Sequence, residues 1–196
     1  MSIKIFLTDV DDCLFAWHDA FVEWMGINYP QFIPIGLNAM AQWEIPNKFE
    51  NMNSDEAETC LVHFNTSAKQ AFMPSKLDSE IWVNKLIEKG WRFVAITSVT
   101  DDENVWRLRK MCLDSIFPEG CIKLHCLPLH KGKDEILQTY AGNGYYWVED
   151  KLKNSVLGLK YDMKPLLIDH PYNQDAPEGI TRVNNWQDIY NILTAN

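Results

Sequence analysis

Residues 3–12 read IKIFLTDVDD, an apolar run over residues 3–8 that stops at Asp9-Val10-Asp11-Asp12. A short apolar segment of this kind is the pattern of a strand buried on both faces, opening onto polar chemistry at its carboxyl end. The same texture recurs along the chain. Residues 91–96 form an apolar run closing on Thr97-Ser98, and residues 122–127 form a third. Residues 145–148 form a fourth, closing on Glu149-Asp150, and residues 166–168 a short fifth. Between them the spacing predicts helices. Residues 78–89 are amphipathic and end at Gly90. Residues 101–113 carry acids first and bases later, as the helix dipole favours. Further helices are expected over residues 133–140 and 186–193. Strands alternating with helices imply the α/β class, with a parallel sheet and helices on both faces.

One region breaks the alternation. Residues 15–25 place Trp17, Phe21, Trp24 and Met25 at helical spacing. An irregular stretch rich in Pro, Asn and Gly follows. Ser54 then precedes Asp55 and Glu56, as a helix cap would, before a helix to about residue 64. This mostly helical insert lies between the first and second strands. The expected organisation is a core of residues 1–14 and 76–196, with a small helical cap of residues 15–75. No internal repeat or low-complexity tract interrupts it.

Bulk properties narrow the function. The chain has 196 residues, 46 % of them apolar, enough for one core with an inserted lobe. Its net charge of −9 and lack of any Lys/Arg run argue against a nucleic-acid polymer as partner. A small phosphate ester remains compatible, since a metal and one or two cations can handle it locally. The five cysteines are odd in number and form no Cys-x-x-Cys pair, which argues against a zinc ribbon or a disulfide framework. The first nine residues are too short and too soon charged for a signal peptide. No run approaches the ~20 apolar residues of a membrane helix. The expectation is a reduced, cytoplasmic protein with no membrane partner, in which the sequon at Asn65 is a chance match.

In open parallel sheets ligands bind beyond the carboxyl ends of the strands. There this sequence places Asp9, Asp11 and Asp12, then Thr97 and Ser98, then Lys131-Gly132-Lys133, then Glu149 and Asp150. Each signal alone has a plain reading as a strand-end acid, a loop hydroxyl, a surface lysine or a turn pair. Their order, one at each strand end, is the specific feature. A carboxylate attacks phosphorus once its charge is partly neutralised, as Mg²⁺ would do. Asp9, first on its strand end, takes the nucleophile's place. Asp11 points the same way if the chain stays extended, and so can protonate the leaving oxygen and later activate water. Magnesium wants hard oxygen ligands, which Asp9, Asp150 and the Asp11 carbonyl supply. Thr97 or Ser98 can donate to a phosphoryl oxygen, and a lysine offsets the charge built up in transfer.

These segments resemble the motifs of the haloacid dehalogenase (HAD) superfamily of phosphatases. IFLTDVDDCLF is similar to its first motif, FVAITS to its second, KGKDEIL to its third and YYWVED to its fourth. The resemblance spans essentially the whole chain. It implies a Rossmann-like sheet with an inserted cap, Mg²⁺ as cofactor, Asp9 as nucleophile, Asp11 as acid/base and Thr97 as the hydroxyl that donates a hydrogen bond to the phosphoryl group. Lys131 is the first choice for the lysine, with Lys133 in reserve. Within that superfamily the sequence looks most like the 5′(3′)-deoxyribonucleotidases. The resemblance rests on Thr97-Ser98, on Trp17 eight residues after the nucleophile, on Trp43 in the cap, and on the tail LLIDHPYNQ…RVNNWQDIYNIL. It implies that Ser98, Trp17 and Trp43 contact a nucleoside monophosphate. Asp12 departs from the family, which usually has Gly there; the extra carboxylate could raise neighbouring pKa values or tighten metal binding.

Other readings stand beside these. Trp17 and Trp43 are also what core aromatics look like. Asn154 either faces the site or caps a helix. His18, His63, His125, His130 and His170 lack metal spacing and read as surface or structural residues, and Arg107 and Arg109 as helix decoration. The alternatives to a nucleotidase are a phosphatase for another small ester such as a sugar phosphate, or a HAD-like protein that only binds. A phosphoacceptor receiver domain fits less well, because its acids come from different strands and it has no cap.

Overall fold

The structure is a computed structural model describing residues 4–195. Ile3, counted into the first strand, and residues 1, 2 and 196 of the expected core lie outside them. Six strands form one sheet: β1 (Lys4–Thr8), β2 (Trp91–Ser98), β3 (Ile122–Leu127), β4 (Tyr146–Glu149), β5 (Lys164–Ile168) and β6 (Thr181–Val183). All neighbours are parallel, in the order β3-β2-β1-β4-β5-β6. This is the Rossmann-like α/β fold expected from the alternation. The order reverses beside β1, so the carboxyl ends of β1 and β4 flank the crevice where such sheets bind ligands.

The strand pleat sends alternate residues to opposite faces. Phe6, Phe93, Ala95 and Val148 enter one apolar cluster, while Leu7, Val94, Ile96 and Trp147 enter another. The first cluster is covered by α3 (Ser79–Glu88), α4 (Glu103–Asp114) and α7 (Trp186–Thr194). The second is covered by α5 (Asp134–Gln138) and α6 (Leu152–Lys160). Trp186 is fully buried against Phe6 and Phe93, and its indole N–H donates to the Cys13 carbonyl at 2.8 Å. That bond ties the closing helix to the loop after β1.

Between β1 and β2 run α1 (Trp17–Asn28), short 3-10 turns and α2 (Ser54–Thr66). Phe21, Met25 and Phe64 of these helices belong to the same cluster as Phe6 and Phe93. Apolar packing is therefore continuous from the sheet into the insert. The bend carrying Trp43, between two 3-10 turns, is held by Lys48, fully buried, whose ammonium donates to the Ala39 and Gln42 carbonyls. The cap of α2 is Asn53, not Ser54: its side chain takes the Glu56 N–H while Glu56 takes the Asn53 N–H. Such reciprocal bonding satisfies two end donors at once.

Two elements had no clear signal. β6 has three residues and buries only Val183. α6 lacks an apolar stripe because it approaches the sheet through Ser155 and Gly158. A Cβ on Gly158 would lie 2.9 Å from Trp147, so the contact needs glycine. No helix among the described residues is long and apolar enough to cross a membrane.

Candidate active site

Asp9 follows β1 directly, and its N–H donates to the Val148 carbonyl at 2.9 Å, locking the ends of β1 and β4 together. The carboxylate is held from two sides: Oδ1 accepts from the Val10 N–H at 2.6 Å, and Oδ2 lies 2.8 Å from Lys133 Nζ. Lys133 caps α5, which brings it back under the β1 end, and it is 4 % exposed. It also donates to Glu149 Oε1 at 2.7 Å. Glu149, fully buried, accepts in addition from the Asn154 amide at 2.8 Å and the Lys151 N–H at 3.0 Å. Burial alone would lower the Lys133 pKa; the charges of Asp9 and Glu149 outweigh it and hold the ammonium above its usual range.

Of the two candidate lysines, Lys133 is the one that contacts Asp9, while Lys131, the first choice from the sequence, does not. Lys131 also lines the cavity, but its side chain is 44 % exposed and paired with Glu135 at 2.9 Å. One residue, Gly132, separates the candidates, and only the turn of the loop decides which one reaches Asp9. Asn154 also faces the site, through Glu149.

Asp11 meets a partner the sequence reading assigned elsewhere. Arg109 is fully buried, and its guanidinium fork spans the Asp11 carboxylate at 2.7 Å and 3.0 Å. It is not helix decoration. The signal was present: Val105, Arg109, Cys112 and Leu113 are the buried stripe of α4, and an arginine in such a stripe demands an acid. Thr97, buried at the end of β2, donates to Asp11 Oδ2 at 3.4 Å. Burial pushes the Asp11 carboxyl up, with Arg109 opposing.

Asp12 turns the other way. Its backbone is left-handed, at φ 54°, which is why glycine suits this position. Its buried carboxylate pairs with the His18 ring on α1 and with Lys76 at 2.7 Å. Burial would raise its pKa, but His18 and Lys76 outweigh that and hold it well below the usual carboxylate range. Asp12 fastens the loop after β1 to the insert, and its charge adds to the upward push on Asp11 and Asp150.

Asp9 and Asp150 face each other across the crevice, with Cys13 alongside. One ligand atom from each lies within 4.8 Å of the others. Burial pushes Asp9 up to about 7 against the pull of Lys133. Burial, then the charges of Glu149 and Asp9, push Asp150 well above its usual value. Among the described residues, Asp9 and Glu149 share Lys133, Asp11 pairs with Arg109 and Asp12 with Lys76, while Asp150 has no ion-pair partner, which leaves a surplus of acid beside Asp9. A divalent cation would relieve the surplus, and the oxygens of Asp9 and Asp150 suit magnesium. Cys13 does not, because sulfur is a soft donor and magnesium takes hard oxygens; burial raises its thiol pKa well above the usual range. Tyr172 donates to Asp150 Oδ2 at 2.6 Å, and Asn173 to the Asp150 carbonyl at 2.6 Å. The tail segment after β5 thus orients Asp150.

These groups open into a cavity of about 540 Å³ bounded by the insert. Asp9, Asp11, Thr97, Ser98, Lys133 and Asp150 line its floor. Ser98 Oγ donates to the Lys131 carbonyl at 2.8 Å, so it braces the loop. Trp17 lines the wall yet is 8 % exposed, stacked on Phe21 at 5.1 Å and edge-on to Phe64. Trp43 is 37 % exposed on the same cavity, with Lys151 Nζ 4.3 Å from its ring and Tyr172 edge-on at 5.2 Å. Of the two tryptophans, Trp43 is the more exposed.

No family model matches the chain. No curated protein matches it either. Solved structures do. A D,D-heptose 1,7-bisphosphate phosphatase from Burkholderia thailandensis aligns over 98 % of this chain and 99 % of its own, with TM-score 0.58 and 9 % identity. The enzyme of the same name from B. bronchiseptica, complexed with magnesium and phosphate, aligns over the same shares with TM-score 0.56 and 13 % identity. An L-2-haloacid dehalogenase aligns over 98 % and 100 % with TM-score 0.61 and 10 % identity. At such identities the likeness establishes a shared fold.

Proposed function

We propose that this chain, which shares its fold with HAD-like hydrolases, is a phosphomonoesterase that forms an aspartyl-phosphate on Asp9. Nucleoside monophosphates are the proposed substrates. The observation that carries this reading is Asp9 itself, at the β1 end, 2.8 Å from the buried Lys133 and beside Asp150, on a cavity floor shared with Asp11 and Thr97.

In the first step an Asp9 oxygen bonds to phosphorus. The bond to the leaving oxygen breaks, and that oxygen takes a proton from Asp11. In the second step water, giving a proton to Asp11, attacks phosphorus and releases Asp9. Lys133 offsets the charge that builds on the phosphoryl group, and Thr97 donates to one of its oxygens; such donors contribute about 3–4 kcal/mol each in comparable sites. Asp9, Asp150 and the Asp11 carbonyl would hold Mg²⁺. Bound there, the ion supplies charge neutralisation for attack by one anion on another. The residue types and their charge surplus fit it.

The nucleoside preference rests on Trp43, a part-exposed aromatic on the cavity, which suits a flat base once Lys151 swings off its ring. A sugar phosphate is the second reading. It draws on Glu44, Glu58 and Asn65, hydrogen-bonding groups that line the same cavity from the insert. The test is phosphate release from both classes with Mg²⁺. Efficient release from nucleoside monophosphates, weakened in KM by Trp43→Ala, supports the first reading. Release confined to sugar phosphates replaces it with the second.

A further inference from the structure

One buried charge has no task in the chemistry above. Arg109 is sealed from solvent and, among the described residues, has a single acid partner, a methionine sulfur at 3.7 Å, and an Nε with no hydrogen-bond partner. Burying an arginine this way is costly, and apolar residues of similar volume often do as well or better in such places. A methionine or leucine would complete the α4 stripe without that cost. The arrangement therefore points to a requirement at Asp11 rather than to packing.

Asp11 stands on the loop beyond β1, where nothing in the backbone fixes its side chain. Its carboxylate is 24 % exposed and reaches the cavity floor. The two N–H bonds of a guanidinium fork fix a carboxylate in plane and in direction, which one ammonium cannot do. Thr97 also reaches the oxygen of the 3.0 Å contact, at 3.4 Å, but its single O–H turns to the phosphoryl group when substrate binds, which leaves the fork to hold Asp11.

We infer that Arg109 is the positioning residue of Asp11, holding its carboxylate where the leaving oxygen departs and the attacking water enters. The inference rests on the phosphomonoesterase reading and deepens it. Asp9 forms the new P–O bond, the old one breaks, and its electron pair stays on the leaving oxygen. An alkoxide must take the Asp11 proton at that moment; a nitrophenolate leaves without one. Misplacing Asp11 therefore slows alkyl esters selectively. The effect belongs in kcat/KM, which reports the first irreversible step and not the later breakdown of the aspartyl-phosphate.

The experiment compares kcat/KM for a nucleoside monophosphate and for p-nitrophenyl phosphate, with Mg²⁺ present. The proteins are the unaltered chain, Arg109→Lys, Arg109→Ala, and Arg107→Gln, an exposed control on the same helix. Positioned acid–base groups contribute about 10²–10⁴-fold, so Arg109→Lys should lose at least about 10²-fold on the alkyl ester and little on the aryl ester. Added guanidinium should restore part of the Arg109→Ala loss, and Arg107→Gln should match the parent. Equal losses on both esters would reduce Arg109 to a structural residue, and no loss on either would show that Asp11 needs no such support. If Arg109→Ala fails to fold, Arg109→Lys, checked by thermal unfolding, decides the matter. No release by the unaltered chain would overturn the phosphomonoesterase reading, and this inference with it.

Discussion

Replacing Asp12 with glycine sets the backbone against the charge. The residue sits at φ 54°, where an L side chain costs about 1–2 kcal/mol and glycine costs nothing sterically. Glycine gives back about 0.5–1 kcal/mol of that relief in unfolded-state entropy. The backbone terms nearly cancel, which leaves the carboxylate. Asp12 is buried between His18 and Lys76, and removing one partner of a buried pair costs about 3–5 kcal/mol. Lys76 keeps a path to water, with a side chain 11 % exposed, so the lower end applies. About 3 kcal/mol in a chain of this size lowers Tm by roughly 6–12 °C. Asp12→Asn keeps the shape and removes only the charge, so it should give most of the same loss. The Asp12 pKa is depressed in the folded chain, so its contribution is complete above about pH 4 and fades as the pH falls below that. The gap between parent and Asp12→Asn should close over the same acid range. The assay is thermal unfolding of all three proteins across pH. A glycine variant as stable as the parent, or more so, would refute the idea that Asp12 is a charged tie between the β1 loop and the insert.

Other consequences follow from the same geometry. Lys133→Met should lower kcat by about 10²–10³-fold, while Lys131→Met leaves it nearly unchanged; steady-state kinetics with Mg²⁺ compare them. Tyr172→Phe removes the 2.6 Å donor to Asp150 and should weaken Mg²⁺ binding by about 10–100-fold, read directly by calorimetry. Trp17→Ala should destabilise the fold by about 3–5 kcal/mol, because the ring is packed on Phe21 and Phe64. Trp43→Ala should leave stability nearly unchanged and raise KM for nucleotides more than for a small aryl phosphate.

Much of the fold was legible because apolar runs bounded by chemistry-bearing residues are hard to read otherwise. β1 to β5 and α7 declared themselves through runs and stripes. α6 and β6 did not, since α6 packs through Ser155 and Gly158 and β6 rests on backbone pairing with one buried residue. At the site, Asp9, Asp11, Thr97 and Asp150 converge because each lies at a strand end, a place that sequence position fixes. Lys131 and Lys133 could not be separated, because which one reaches Asp9 depends on the loop before α5. Arg109 was missed for a different reason. It sits remote in sequence from Asp11, and its meaning appears only once the α4 stripe is known to be the buried face. Tyr172 likewise reaches Asp150 through a loop whose path no local pattern encodes. The insert is the least legible part: its apolar core merges with that of the sheet, so the division at residues 14/15 and 75/76 remains a proposal to be tested by limited proteolysis.

The most direct test of the central proposal is phosphate release from a nucleoside monophosphate, with and without Mg²⁺, by the unaltered chain and by Asp9→Asn. Aspartyl-phosphate chemistry on Asp9 requires Mg²⁺-dependent release that disappears in Asp9→Asn while the variant still folds. Undiminished release by Asp9→Asn would contradict it and remove Asp9 as the nucleophile.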